Sequence, residues 1–118
     1  EMVGIGPFIP HSATPLASFP GGSIELTLRL ISIARLILPG ARLPATTAVA
    51  TAGGNDARLA ALDAGADVIM PNITPPHLRP CYQLYNRKAS SGAEAAEGLS
   101  LLKDMLAAAG YEISMRNA

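Results

Sequence analysis

The sequence predicts an α/β fold, a small parallel sheet built from three βα units and followed by a terminal helix. Short apolar runs alternate with helix-period segments along the 118 residues. Strands that alternate with helices form parallel sheets through right-handed crossovers. The first run, Met2 to Ile9, is apolar on both strand faces, as in a strand covered on each side. Glycines, prolines and capping residues then punctuate the chain in the order β-α-β-α-β-α-α.

Each element has its own signal. Met2 to Ile9 is expected as the first strand, with Pro7 and Pro10 limiting its ladder. Residues 11–23 hold Thr14-Pro15, Phe19-Pro20 and Gly21-Gly22 and read as a loop. Ser23 suits an N-cap and Glu25 the first turn of a helix over Ile24 to Leu38. Its polar residues Glu25, Arg29, Ser32 and Arg35 step by 4, 3 and 3, one solvated stripe on a helix otherwise in need of cover. Pro39-Gly40 ends it. Leu43 to Thr51, rich in Thr and Val, is expected as the second strand, and Gly53-Gly54-Asn55 as a loop. Asp56 to Ala64 reads as a short helix closed by Gly65, and Asp67 to Asn72 as a third, buried strand. Thr74-Pro75-Pro76 opens a helical piece through Tyr85. Ser91 and Glu94 have capping-box spacing before a helix over Ala93 to Ala109, ended by Gly110. Three βα units are less than half of a (βα)8 barrel, which needs roughly 250 residues.

Composition bounds the function. Nine basic and nine acidic residues cancel, which excludes a strongly basic nucleic-acid binder. The strongest apolar stretch, Leu26 to Leu38, is broken by Arg29, Ser32 and Arg35 and falls short of the roughly 20 residues a bilayer span needs. Cys81 is the sole cysteine, so a disulfide framework or a multi-cysteine metal site is excluded. Hydrophobic residues make up 49% and charged ones 15%, against about 25% charged in a typical soluble domain. A chain this apolar and this small expects partners for its faces. With no leader and a strand expected at residue 1, it reads as an excised piece, or one whose upstream part is missing, and as cytoplasmic.

In a barrel, function gathers at the C-terminal ends of strands. That rule selects Gly6 to His11, then Thr46, Thr47 and Thr51, then Met70 to Thr74 with Tyr82 and Tyr85. His11 could contact a ligand or carry a proton, or could bond only to its own loop. On a strand, Thr46 and Thr47 would point to opposite faces, one hydroxyl inward. Gly53-Gly54-Asn55 could cradle phosphate but lacks the full glycine fingerprint and a lysine. Tyr82 and Tyr85, three apart, share a helix face. Met70 could face a ligand or fill a core gap. His77 reads as a turn residue and Cys81 as a buried or half-buried thiol. No paired carboxylates, Ser-His-Asp set or metal-ligand cluster is visible.

The strings Gly4-Ile5-Gly6-Pro7-Phe8-Ile9-Pro10-His11, Thr14-Pro15-Leu16, Ala34-Arg35, Leu43-Pro44-Ala45-Thr46-Thr47-Ala48, Ala64-Gly65-Ala66-Asp67-Val68-Ile69-Met70-Pro71-Asn72 and Tyr82-Gln83-Leu84-Tyr85 occur in that order. Together they resemble the C-terminal part of the radical SAM family of [FeFe]-hydrogenase maturases, relatives of biotin synthase. The resemblance covers about residues 3 to 87. It implies that residues 1–87 are the last three βα units of a (βα)8 radical SAM barrel and 88–118 a C-terminal helix and tail.

In that family a [4Fe-4S] cluster and S-adenosylmethionine generate a 5′-deoxyadenosyl radical. The family's cluster loop, Cys-x3-Cys-x2-Cys, does not occur here, so the resemblance implies that the cluster ligands lie outside this chain and that the chain alone is inactive. Carried over residue by residue, it assigns Gly6, Phe8, Ile9, Pro10 and Tyr82 to the adenosylmethionine side, with Ile9 packing on the adenine. It assigns Thr46, Thr47, Met70 and Tyr85 to a cavity for a small-molecule substrate. The chain departs from the family at His11-Ser12-Ala13-Thr14-Pro15, where His-Pro-Asp-Thr-Pro is common, and at Val49-Ala50-Thr51, where the maturase often has Gly-Thr. Ala45 stands where biotin synthase has an arginine ligand, which argues against biotin synthase itself. The implied partner is the remainder of the barrel. Two alternatives compete: a fragment of a phosphate-binding, non-radical barrel, and a half-barrel whose exposed apolar faces drive homo-oligomerisation.

Overall fold

Ser23 starts the first helix, α1 (Ile24–Ile37), as expected. Its hydroxyl accepts from Leu26 N at 3.2 Å, and Glu25 complements the positive end of the helix. Leu38 N closes the last turn on Ala34 O at 2.8 Å, and Pro39 follows. The structure, a computed structural model, describes residues 1–71, 75, 77–78, 81 and 95–114. It divides into two compact units, whose described parts are residues 1–70 and residues 71, 75, 77–78, 81 and 95–114.

The polar residues of α1 do not form the single solvated stripe that their spacing suggests. Glu25 and Arg29 pair at the surface, but Ser32 and Arg35 turn toward the chain that follows the second helix. Ser32 Oγ donates to Ala64 O at 2.9 Å. Arg35 donates from Nε to Gly65 O at 2.9 Å, and from Nη1 to Pro39 O at 2.9 Å and Ala41 O at 2.7 Å. Its Nη2 lies 3.1 Å from Asp67 Oδ1. The same carboxylate accepts from Leu43 N at 2.7 Å and meets Arg42 at 3.5 Å. Gly65, at φ 119°, makes the close approach possible, because a Cβ there would stand 2.9 Å from Arg35 Cβ. Carbonyls that no regular element pairs find donors this way. The apolar residues Leu26, Leu30, Ile33 and Ile37 are left outward, and Leu36 is 82% exposed.

The clasp aligns a short parallel sheet. β1 (Pro44–Ala45) pairs with β2 (Val68–Ile69), with Pro44 opposite Val68 and Ala45 opposite Ile69. Upstream, Met2 bridges Arg42 in parallel through Val3 N to Arg42 O and Arg42 N to Glu1 O, both 2.9 Å. The first run therefore contributes one bridge, not an eight-residue strand. Nor is it covered on both faces: Val3, Ile5 and Pro7 turn inward, while Met2, Gly4, Gly6 and Phe8 are exposed.

The second expected strand stops at Ala45, because Thr46 caps a helix. α2 (Thr47–Asp63) absorbs the rest of that segment and the expected glycine loop. Gly54, at φ 71° and ψ −164°, is a kink joining two helical stretches, a conformation that glycine adopts without strain. Gly53 lies inside the helix, where a Cβ would meet Ala57 Cβ at 2.5 Å. Of the third expected strand, Val68–Ile69 forms and Asn72 lies outside the described residues. The core of this unit is Ile31, Leu43, Ala45, Val49, Ala57, Ala61 and Ala66, with Ile24, Leu28, Ala34 and Ile69 packed against it.

The second unit contains α3 (Ala95–Ala108). Gly110, at φ 83°, ends it as expected: Gly110 N bonds Ala107 O at 3.0 Å and Tyr111 N bonds Leu106 O at 2.8 Å, the two bonds of a Schellman close. Ser91 and Glu94 lie outside the described residues, as does most of the helical piece expected from Thr74 to Tyr85. Among the described residues no helix is long and apolar enough to cross a membrane.

Arg35→Ala should lower the unfolding free energy by about 2 kcal/mol in urea titration, the value of a charged donor on several carbonyls, discounted because a quarter of its side chain is exposed. Arg29→Ala, which breaks only the exposed pair with Glu25, should change it by less than about 0.5 kcal/mol.

Candidate functional site

The resemblance points to the chain ends that follow the strands, and the structure brings part of that set together. Gly6 lies four residues after the Met2 bridge, and Thr46 directly follows β1. The two touch: a Cβ at Gly6 would sit 2.8 Å from Thr46 Oγ1 and 3.3 Å from Ala48 Cβ. Thr46 and Thr47 are half-buried and Ala48 is buried. Met70 follows β2 and is 55% exposed.

Local sequence explains why Thr46 stands here. Pro44 and Ala45 fill β1, and Thr46 then takes an extended backbone, φ −66° and ψ 158°. Its hydroxyl accepts from Val49 N at 3.4 Å, replacing one of the bonds that a first turn lacks. Thr46 and Thr47 therefore do not point to opposite faces of a strand. One is the cap and the other the first residue of α2. Thr51, a turn later, donates its hydroxyl to Thr47 O at 2.8 Å. The result is an uncharged wall with one capping hydroxyl and first-turn amides at the positive end of a helix.

The Gly6–Pro10 run is held from the other side by the loop. Gly22 N donates to Phe8 O at 2.8 Å, and a Cβ on Gly22 would stand 2.5 Å from Phe8 N. Gly21 approaches Phe8 O and Pro10 Cδ. Phe8 is exposed, while Ile9 and Pro10 are half-buried, so this strip is largely apolar.

Other candidates take bland roles. His11 Nδ1 accepts from Ala13 N at 3.1 Å and His11 O from Thr14 N at 3.0 Å, so the histidine is bonded to its own loop. Cys81 is exposed and not the buried or half-buried thiol expected; the burial preference of cysteine is a tendency and not a rule. His77 is exposed. Tyr82 and Tyr85 lie outside the described residues. Among the described residues no three His, Cys, Asp or Glu side chains gather to hold a metal. With Cys81 as the one thiol of the chain, these residues do not fit a [4Fe-4S] cluster.

Two features escaped the sequence reading. The Gly6–Thr46 approach is a contact across about 40 positions that local spacing does not signal. Arg58, on α2, has a buried Nε without a hydrogen-bond partner among the described residues, and burial lowers its pKa below the ordinary arginine value.

Comparison with known proteins adds a firm finding. No family model matches the chain. A curated relative does: the [FeFe] hydrogenase maturase subunit HydE of Thermotoga maritima is 50% identical over 90 residues, 75% of this chain and 25% of that protein. The chain thus spans about a quarter of the length of the relative it matches.

Thr46→Ala should cost about 1 kcal/mol of stability through the lost cap, and Thr46→Ser only a few tenths, read by urea unfolding. Three quarters of the chain is homologous to a [FeFe] hydrogenase maturase, and by that homology it is a segment of the radical SAM family of maturases.

Proposed function

We propose that this chain supplies one wall of the adenosylmethionine and substrate pocket of a radical SAM enzyme of the maturase type, formed by the last βα units of a (βα)8 barrel. The observation that carries the reading is the 50% identity over 90 residues, a stretch long enough to contain most of the candidate site residues. In support, Gly6, Phe8, Ile9 and Pro10 form an apolar strip next to the Thr46–Thr47 wall.

On this reading adenosylmethionine, when bound, supplies the 5′-deoxyadenosyl group, and the [4Fe-4S] cluster is held by residues outside the chain. The residues here bind and exclude water. Ile9 packs on the adenine beside Gly6, Phe8 and Pro10, and the resemblance gives Tyr82, which lies outside the described residues, to the same ligand. Thr46, Thr47 and Met70 line the space for a small substrate, and the resemblance assigns Tyr85, outside the described residues, to the same cavity. An uncharged, hydroxyl-bearing wall orients a polar substrate without introducing acid–base chemistry, and dryness keeps a reactive intermediate from side reactions. The outward stripe on α1 and the exposed side of residues 2–8 suit contact with further βα units of the same barrel. A cytoplasmic location belongs to the same proposal.

The test is a chimera in which this chain's residues replace the matched segment of the Thermotoga maritima maturase. The reconstituted chimera should release 5′-deoxyadenosine from adenosylmethionine, and Ile9→Asp within it should weaken adenosylmethionine binding more than about tenfold by placing a charge against the adenine. A folded chimera that binds adenosylmethionine no better than a scrambled-segment control would rule the proposal out.

A further inference from the structure

Gly6 stands where two parts of the proposed wall meet, and its role there is steric. Its backbone needs no glycine: the positive φ angles among the described residues belong to Gly54, Gly65 and Gly110. What Gly6 supplies is space. A Cβ at this position would lie 2.8 Å from Thr46 Oγ1, 3.3 Å from Ala48 Cβ and 3.7 Å from Thr46 Cβ. The nearest of these atoms is the oxygen that caps α2. Ala48 is buried in the first turn of that helix, so the methyl cannot slide to that side. The local escape is rotation of Thr46 about χ1 to another staggered well, which takes Oγ1 off Val49 N.

We infer that Gly6 is a positioning residue: its missing side chain keeps the Thr46 hydroxyl in the orientation that caps α2, and so sets how Thr46 and Thr47 face the pocket. The coupling rests on the distances above. Its functional weight rests on the reading of Thr46 and Thr47 as substrate wall. This role differs from the contact with adenosylmethionine that the resemblance gives Gly6, since it acts through Thr46.

Amide hydrogen exchange of Val49 in the isotope-labelled chain reads the cap directly. Gly6→Ala should accelerate it about fivefold, as Thr46→Ala does, because each removes one N-cap bond. The double variant should stay within about twofold of Thr46→Ala alone, since the second change has nothing left to disturb. The Leu26 amide, capped by Ser23, is the control for general loosening and should not change in any variant. An unaltered Val49 rate in Gly6→Ala, or effects that multiply to about 25-fold in the double variant, overturns the coupling. Should Gly6→Ala fail to fold, the double variant decides. Removing Oγ1 takes away the 2.8 Å clash, so recovery of folding supports the inference, and continued failure overturns it. The pocket reading is scored separately in the maturase chimera: a lost Val49 cap with unchanged 5′-deoxyadenosine output counts against the wall and leaves the coupling standing.

Discussion

One guanidinium ties the first unit together. Arg35 reaches from the last turn of α1 to Gly65, Pro39 and Ala41 carbonyls and to the Asp67 carboxylate. These groups belong to the turns that enter β1 and β2, where no ladder supplies donors. Asp67 passes the constraint on by accepting from Leu43 N, directly before β1. The two strands are only two residues each, too short to fix their own register. The charged clasp at their N-terminal ends fixes it instead, and takes no part at the C-terminal ends, where Thr46 and Met70 follow the strands.

That arrangement decides how much could be read from the sequence. The helices were legible where local signals agree: Ser23 before α1 and Gly110 after α3 sit where capping chemistry puts them. The second strand was misread because Thr and Val favour strands on average, whereas Thr46 at this position finds Val49 N and starts a helix. The glycine pair was read as a loop because two adjacent glycines usually mark one. Only Gly54 takes a left-handed backbone, and the helix resumes after it. Ser32 and Arg35 fall on the polar stripe by periodicity, but periodicity cannot see the carbonyls of Ala64 and Gly65 about 30 positions away.

The site divides along the same line. Its family was legible from ordered strings, each only a few residues long, and the maturase homology bears that out. The seam between Gly6 and Thr46 was not, since a glycine that gives room looks in sequence like a glycine that gives freedom. Its backbone angles and the near oxygen tell the two apart.

With Arg35 and Ser32 drawn inward, the face of α1 that meets solvent carries Leu26, Leu30, Ile33, Leu36 and Ile37, with the Glu25–Arg29 pair as its charged relief. The formal net charge at pH 7 is zero, so no long-range repulsion keeps two such faces apart near neutrality. Sulfate and other excluded salts strengthen the attraction between the exposed leucines, while moderate urea weakens it before the core gives way.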